Sequence, residues 1–359
     1  PHTWLGDSAY KDSVTGLVKG GDCNDSNPNI YTGVIEAFPD LCLQDEDEDG
    51  SADCSLSGND YECDVGFFIE GTDFGFDFMH ITAGTDVGGL FSLTKDYLFM
   101  TTEVTQGMYE TVIGVNPNGS NFEDNVAVSY VSWNDSVVLA NTLSEVHQLE
   151  TCYDCSYSNP SDLRSVTSCS PKSEFLGKAI YECEGYRLPT EAEWLYATRS
   201  NSTYDFWSEF GGGSYDLDYC NSDVEINDGN GSLLGDYAWF CGNSGGTLNA
   251  VAEKLPNEFG LYDTIGNVVE QVHDRYQSSF PAQSEDPVYY DTSTTTTVLR
   301  GGSYASSPYY IQNSYRTTYN PTSRSVSHGV RLARSVADSK PTMPYVTFAS
   351  VPALKSKDL

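Results

Sequence analysis

The stretch Leu299–Arg331 reads LRGGSYASSPYYIQNSYRTTYNPTSRSVSHGVR. It opens with a glycine pair between an arginine and a serine, and it closes on Gly329 and Arg331. Between these ends lie Tyr, Ser, Thr and Asn residues, with no cysteine and no carboxylate. A fixed frame around a polar and aromatic filling can hold an active site or present a contact surface. The filling suits contact: tyrosine offers large area at low entropy cost, and Ser and Asn offer adaptable hydrogen bonds. Tyr304, Ser306, Tyr309, Tyr310, Asn313, Tyr315 and Tyr319 are therefore the candidate ligand-binding set, for a glycan or a protein.

Around this stretch lies a chain of 359 residues, enough for one large domain or two ordinary ones. Its 52 acidic and 18 basic residues leave a net charge of −34. Nucleic acid is excluded as a partner, because phosphate neutralisation needs clustered Lys and Arg. The charge suits a protein that binds cations. No run of eighteen apolar residues occurs, so no membrane span is expected. The first residues, PHTWLGDSAY, do not read as a signal peptide. Ten cysteines, all before residue 242, read as disulfides formed in an oxidising compartment, which places the protein outside the cell or on its surface. Sequons at Asn24, Asn118, Asn134, Asn201 and Asn230 permit glycosylation.

Residues 1–75 read as an acidic, cysteine-bearing module. Within it Asp45, Asp47, Asp49, Ser51 and Asp53 follow a D-x-D-x-D-G-x-x-D pattern with Gly50 in sixth place. Alternating oxygen ligands with a glycine at the sharp turn make a calcium loop. Leu56 stands where the loop's bidentate Glu would be, so this site is expected to be weak. Gly21–Pro28 resembles the D-C-x-D-x-x-P metal-binding repeats of bacterial surface proteins.

Phe76–Met100 reads as strands broken by turns at Gly84, Gly88 and Gly89. Thr105 caps a short helix from Gln106 to Ile113, ended by Gly114. Ser132 and Asp135 form a capping box for a helix running to about His147. Thr190 and Glu193 form another, for a helix to about Arg199 that buries Trp194, Leu195 and Ala197. Residues 150–184 hold four cysteines in a Ser/Pro-rich stretch that reads as irregular, pinned by disulfides because it lacks apolar residues to pack. Residues 200–255 read as a long irregular region in which Cys220 and Cys241 are the natural pair.

Five blocks in series carry a resemblance. They are EVTQGMY (103–109), VSWND (131–135), YRLPTEAEW (186–194), GLYDTIGNVVE (260–270), and the LRGGS…GVR frame (299–331). Together they resemble the formylglycine-generating enzyme, or sulfatase-modifying factor, domain over residues 76–334. The resemblance implies an α+β, C-type-lectin-like fold with little regular secondary structure, stabilised by calcium. Carried onto this sequence, the calcium ligands are Asp263, the carbonyls of Gly266 and Val268, and Glu270. The residues agree, since carboxylates flanking a Gly-Asn turn place several hard oxygens around it. The alternative is a hairpin in which Glu270 pairs with Arg300. A second calcium site would fall near Asn221 and Asn243.

The resemblance also implies chemistry that the sequence does not support. Catalytic members use two active-site cysteines and copper, and the matching positions here are Ser306 and Ile311. A serine does not bind Cu(I) as a thiolate does. The iron-dependent branch draws on a His-rich partner domain, and only five His occur here. The expectation is a non-catalytic protein that binds a ligand, assembles into an extracellular filament or layer, or does both. The alternatives are a copper-dependent oxidase and a diversified receptor, since the variable receptors of diversity-generating retroelements share this frame-and-filling plan. Self-assembly would draw on residues 335–359, where Tyr345–Phe348 could add a strand to a neighbouring subunit. His273 reads as a surface strand end.

Overall fold

Three helices begin where the capping boxes place them. Helix α1 spans Gln106–Ile113: Thr105 accepts from the Met108 N–H, and Gly114 closes the helix in the left-handed region at φ 82°. Helix α2 spans Trp133–Val146, with Ser132 accepting from the Asp135 N–H and Asp135 accepting in return from the Ser132 N–H. Helix α3 spans Glu191–Arg199, with the same reciprocal pair between Thr190 and Glu193. The structure, a computed structural model, describes residues 75–336 apart from 120–122, 201, 215–218, 223 and 281–283, with the backbone of three further strands, Ile30–Tyr31, Leu43–Gln44 and Asp64–Phe68. The acidic loop of Asp45, Asp47, Asp49, Ser51 and Asp53, and residues 337–359 with Tyr345–Phe348, lie outside the described residues.

Two sheets carry the domain. The larger runs, strand by strand, Asp64–Phe68, Gly75–Ile81, Tyr97–Met100, Ala333–Ser335 and Tyr186–Arg187, antiparallel throughout. Its hydrophobic alternation comes from Phe76 and Phe78, both fully buried, on the second strand. The smaller sheet runs Thr317–Tyr319, Thr297–Arg300, Val269–Arg275 and His328–Gly329, and only its last pair is parallel. Both ends of the 299–331 stretch therefore enter this sheet, one through Thr297–Arg300 and the other through His328–Gly329. Trp133, Trp194, Phe99 and Val272 close the main core between sheets and helices. Trp133 also donates its indole N–H to the Val272 carbonyl at 2.8 Å, tying α2 to the smaller sheet.

Residues 150–184 differ from expectation. They form a hairpin, Tyr153–Tyr157 against Val166–Pro171, bridged by Cys155–Cys169, while Cys152–Cys183 closes the segment. Tyr153, Phe175, Ile180 and Tyr181 pack into the main core, so the insertion is held by burial as well as by cross-links. The region 200–255 is largely irregular, and Cys220 pairs with Cys241 as expected. It carries a small core of its own, Phe206, Ile226, Leu234 and Phe240, which Ile265 and Ile311 complete. Of the described sequons, Asn134 is buried at the start of α2 and closed to glycosylation, whereas Asn230 is exposed.

Candidate functional site

The frame folds as it does because its glycines leave no alternative. Gly302 sits at φ +68°, and a Cβ there would lie 2.6 Å from both the Tyr310 carbonyl and Ile311 Cγ2. Only glycine combines that backbone with that approach. The chain then turns back, with the Tyr304 N–H donating to the Asn267 carbonyl at 2.8 Å and the Gly266 N–H to the Gly301 carbonyl at 2.8 Å. The Gly-Asn turn and the frame are thus one hydrogen-bonded unit.

At that unit one guanidinium pairs with a buried carboxylate, and two further buried carboxyl groups feel its charge. Arg331 donates to Glu270 Oε1 at 2.9 Å and to the carbonyls of Met100 and Tyr262. Trp194 donates to Glu270 Oε2 at 2.6 Å. Glu103 accepts from the Val268 N–H at 2.9 Å and from Asn267 Nδ2 at 2.6 Å. Burial drives the Glu103 carboxyl well above its ordinary range, with Asp263 and Glu270 pushing the same way. Asp263, at φ 52°, accepts from the Ala252 N–H on Oδ2, while its buried Oδ1 has no partner. Burial also lifts the Asp263 carboxyl, to about 6. Glu270 pairs with Arg331, not with Arg300. The register sets Glu270 opposite Arg300 along the backbone, but the Arg300 side chain turns to Glu191, at 3.3 Å.

Measured against a cation, the expected ligands divide. Asp263 offers an unpartnered buried oxygen, which suits a hard ion. Both Glu270 oxygens are already satisfied by protein donors. Among the described residues, no three His, Cys, Asp or Glu side chains converge as a metal cage. Asn243 is tied to the backbone of Gly235, Ala238 and Phe240.

The positions that hold cysteines in catalytic relatives do structural work here. Ser306 Oγ accepts from the Ser303 N–H at 3.0 Å, and its carbonyl accepts from the Cys241 N–H. Ile311 is fully buried beside Phe206 and Phe240. Every described cysteine is in a disulfide.

The filling sorts itself into two sets. Tyr309, Tyr310 and Tyr315 form an aromatic triangle with ring centroids 5.0 to 5.6 Å apart, each pair edge-to-face. Tyr309 and Tyr310 are 52% and 44% exposed, so the triangle faces solvent. Tyr319 is also exposed, but it stands apart on the edge strand with its ring against His328. Asn313 does not join the surface, and Ser306 is half-buried. Asn313 is buried and lines a small internal space with Trp207 and Tyr237, and Ser306 points to Ser303. Tyr304 is half-buried, with its carbonyl held by Ser244 Oγ.

Two residues absent from the expected set hold the filling in place. Arg316 forks onto Glu191 at 2.5 and 2.7 Å, at the first turn of α3. Arg324 forks onto Asp135, with both contacts at 2.7 Å, at the capping box of α2. Bidentate pairs fix geometry as well as charge. The available signal was that these are the only cations within a filling that has no acid. His273 was also misplaced by sequence: it is fully buried, mid-strand, with Nδ1 within 3.1 Å of the Tyr153 hydroxyl.

Fold, glycine frame and buried carboxylate unit define an α+β domain with the lectin-like plan that the motifs imply. The chain belongs to the sulfatase-modifying factor enzyme 1-like domain family, whose model matches residues 90–336. It is 26% identical to the chaperone protein LppX of Paenibacillus barcinonensis over 295 residues, 80% of this chain and 95% of that one. Among solved structures, Treponema denticola variable protein 1 superposes with a TM-score of 0.60 at 26% identity, covering 76% of this chain and 99% of the other. PvdO from Pseudomonas aeruginosa shares the fold at 20% identity and a TM-score of 0.51, over 72% of this chain and 94% of its own. Neither a chaperone nor a variable protein carries an enzyme's name, although the family's description does. The three disulfides among the described residues are those of a chain folded in an oxidising compartment. No helix of the described residues is long and apolar enough to cross a membrane.

Proposed function

We propose that this is an extracellular, non-catalytic binding protein that meets its ligand with the Tyr309–Tyr310–Tyr315 triangle. The triangle carries the reading: exposed tyrosines occupy the part of the frame where catalytic members keep their chemistry, while Ser306 and Ile311 are committed to the fold. The likeness to a variable protein and to a chaperone supports contact over catalysis. The test screens the purified protein and a Tyr309→Ala/Tyr310→Ala/Tyr315→Ala variant against a glycan array and an array of extracellular proteins. A ligand retained by the first and lost by the second, at unchanged melting temperature, is the expected result. Binding that survives the triple change sinks the reading. So does aldehyde formation on a Cys-x-Pro-x-Arg peptide supplied with copper.

We also propose calcium at Asp263, completed by the Gly266 and Val268 carbonyls beside Glu270. The orphaned Asp263 oxygen amid an excess of buried carboxylates supports it. An ion at about a hundredfold excess over its Kd stabilises the folded state by about 2.7 kcal/mol. At about 2–4 °C per kcal/mol for a domain of this size, chelation should lower the melting temperature by about 5–10 °C. The Asp263→Asn variant should show no such response. A wild-type melting temperature indifferent to excess chelator refutes the site.

A further inference from the structure

On a loop that hydrogen-bonds to the triangle's segment lies a cavity of about 380 Å³, within the range of sites that hold a ligand group. It is built by the loop 202–212. Ser202 Oγ donates to the Gly211 carbonyl, Ser208 Oγ donates to Asp228, and Phe206 and Gly213 exchange backbone hydrogen bonds. Gly212, at φ +91°, lets the loop close, since a Cβ there would meet the Phe206 carbonyl at 2.4 Å. The Ser202 and Ser208 hydroxyls are thus engaged within the protein, and Ser200 Oγ accepts from the Phe259 N–H. What remains for a ligand is the half-buried Trp207 and two exposed carboxylates, Glu209 and Glu258. The Tyr237 ring braces the Trp207 indole edge-to-face at 5.6 Å. No basic residue lines the cavity, and neither carboxylate has an ion-pair partner among the described residues. This loop is joined to the triangle's segment: Asp205 accepts from the Asn313 N–H and from Ser314 Oγ, both at 3.0 Å, and Phe206 packs on Ile311.

We infer that this cavity receives an organic cation, the ammonium or guanidinium of a lysine or arginine side chain on the ligand that covers the tyrosines. The inference rests on the binding reading above and names the charge of what is bound. An aromatic face with two unpaired carboxylates and no cation is complementary to such a group. A neutral ligand that covered both carboxylates would strip their water without replacing it.

The test uses the full chain labelled with 5-fluorotryptophan, with the Trp207 resonance assigned by its loss in Trp207→Phe. The probes are Nα-acetyl-lysine methylamide, Nα-acetyl-arginine methylamide, the neutral Nα-acetyl-norleucine methylamide, and N-acetylglucosamine. The lysine or arginine probe should shift the Trp207 signal with a millimolar midpoint. The Glu209→Gln/Glu258→Gln variant, changed only at exposed positions, should weaken that response about fivefold or more. The triple tyrosine variant should leave it unchanged. That arm separates the two readings, because a triangle that binds its ligand beside a cavity indifferent to cations defeats only this inference. No shift with either cation, an equal shift with norleucine, a shift with the sugar alone, or an unaltered response in the double glutamine variant would each overturn it.

Discussion

Replacing Arg331 by methionine is expected to lower folding stability by about 3–5 kcal/mol, the cost of leaving a buried charge without its partner. Arg331 is fully buried, pairs with Glu270, and its charge acts on the buried carboxyls of Glu103 and Asp263. Its removal strands Glu270 and also frees the Met100 and Tyr262 carbonyls. The loss should appear as a fall of about 6–20 °C in melting temperature. Changing Glu270→Gln in the same chain should restore part of it, because deleting both members of a buried pair costs less than deleting one. A single variant melting within about 2 °C of the parent would show that the cluster is not held by this pair.

The second large effect is acid sensitivity centred on His273. Burial pushes its imidazole down to about 3, and Arg187 and Arg275 push the same way. The unfolded chain takes up a proton at an ordinary value near 6.5, while the folded chain refuses it until far lower. Stability from this group is therefore complete above about pH 6.5 and is lost as pH falls toward 3. At about 1.4 kcal/mol per pH unit, the loss reaches about 3 kcal/mol by pH 4. Asp274 works against it: its carboxyl is lifted by burial to about 8, so its contribution grows as pH falls through that value. Comparison with His273→Asn isolates the histidine. The parent should lose about 3 kcal/mol more than the variant between pH 7 and pH 4, read by denaturant titration at each pH. Parallel pH profiles for the two proteins would dispose of the argument.

Local signals were legible and long-range partners were not. Thr105, Ser132 and Thr190 marked the starts of all three main helices because a cap is written within four residues. Cys220–Cys241 was readable because only two cysteines fall in that region. The hairpin Tyr153–Pro171 was missed because Tyr153, Cys155 and Tyr157 give only a short apolar period and the partner strand, rich in Thr, Ser and Pro, gives none. The choice of Arg331 over Arg300 for Glu270 turns on where side chains point after two sheets have assembled, and no local pattern encodes it. The same holds for Arg316 and Arg324, whose partners lie 125 and 189 residues away. The tyrosine triangle was half legible: composition named its members, but only folding could send Asn313 inward and turn Ser306 to Ser303.

Those two arginine forks carry a consequence for how this surface can evolve. Arg316 and Arg324 anchor the segment to the starts of α3 and α2, and Gly302 and Arg331 fix its ends. The anchors hold the backbone path without calling on the rings of Tyr309 and Tyr310. Specificity and shape are therefore inherited separately. On the binding role proposed above, side chains on the triangle can be exchanged for others while the scaffold beneath them stays the same.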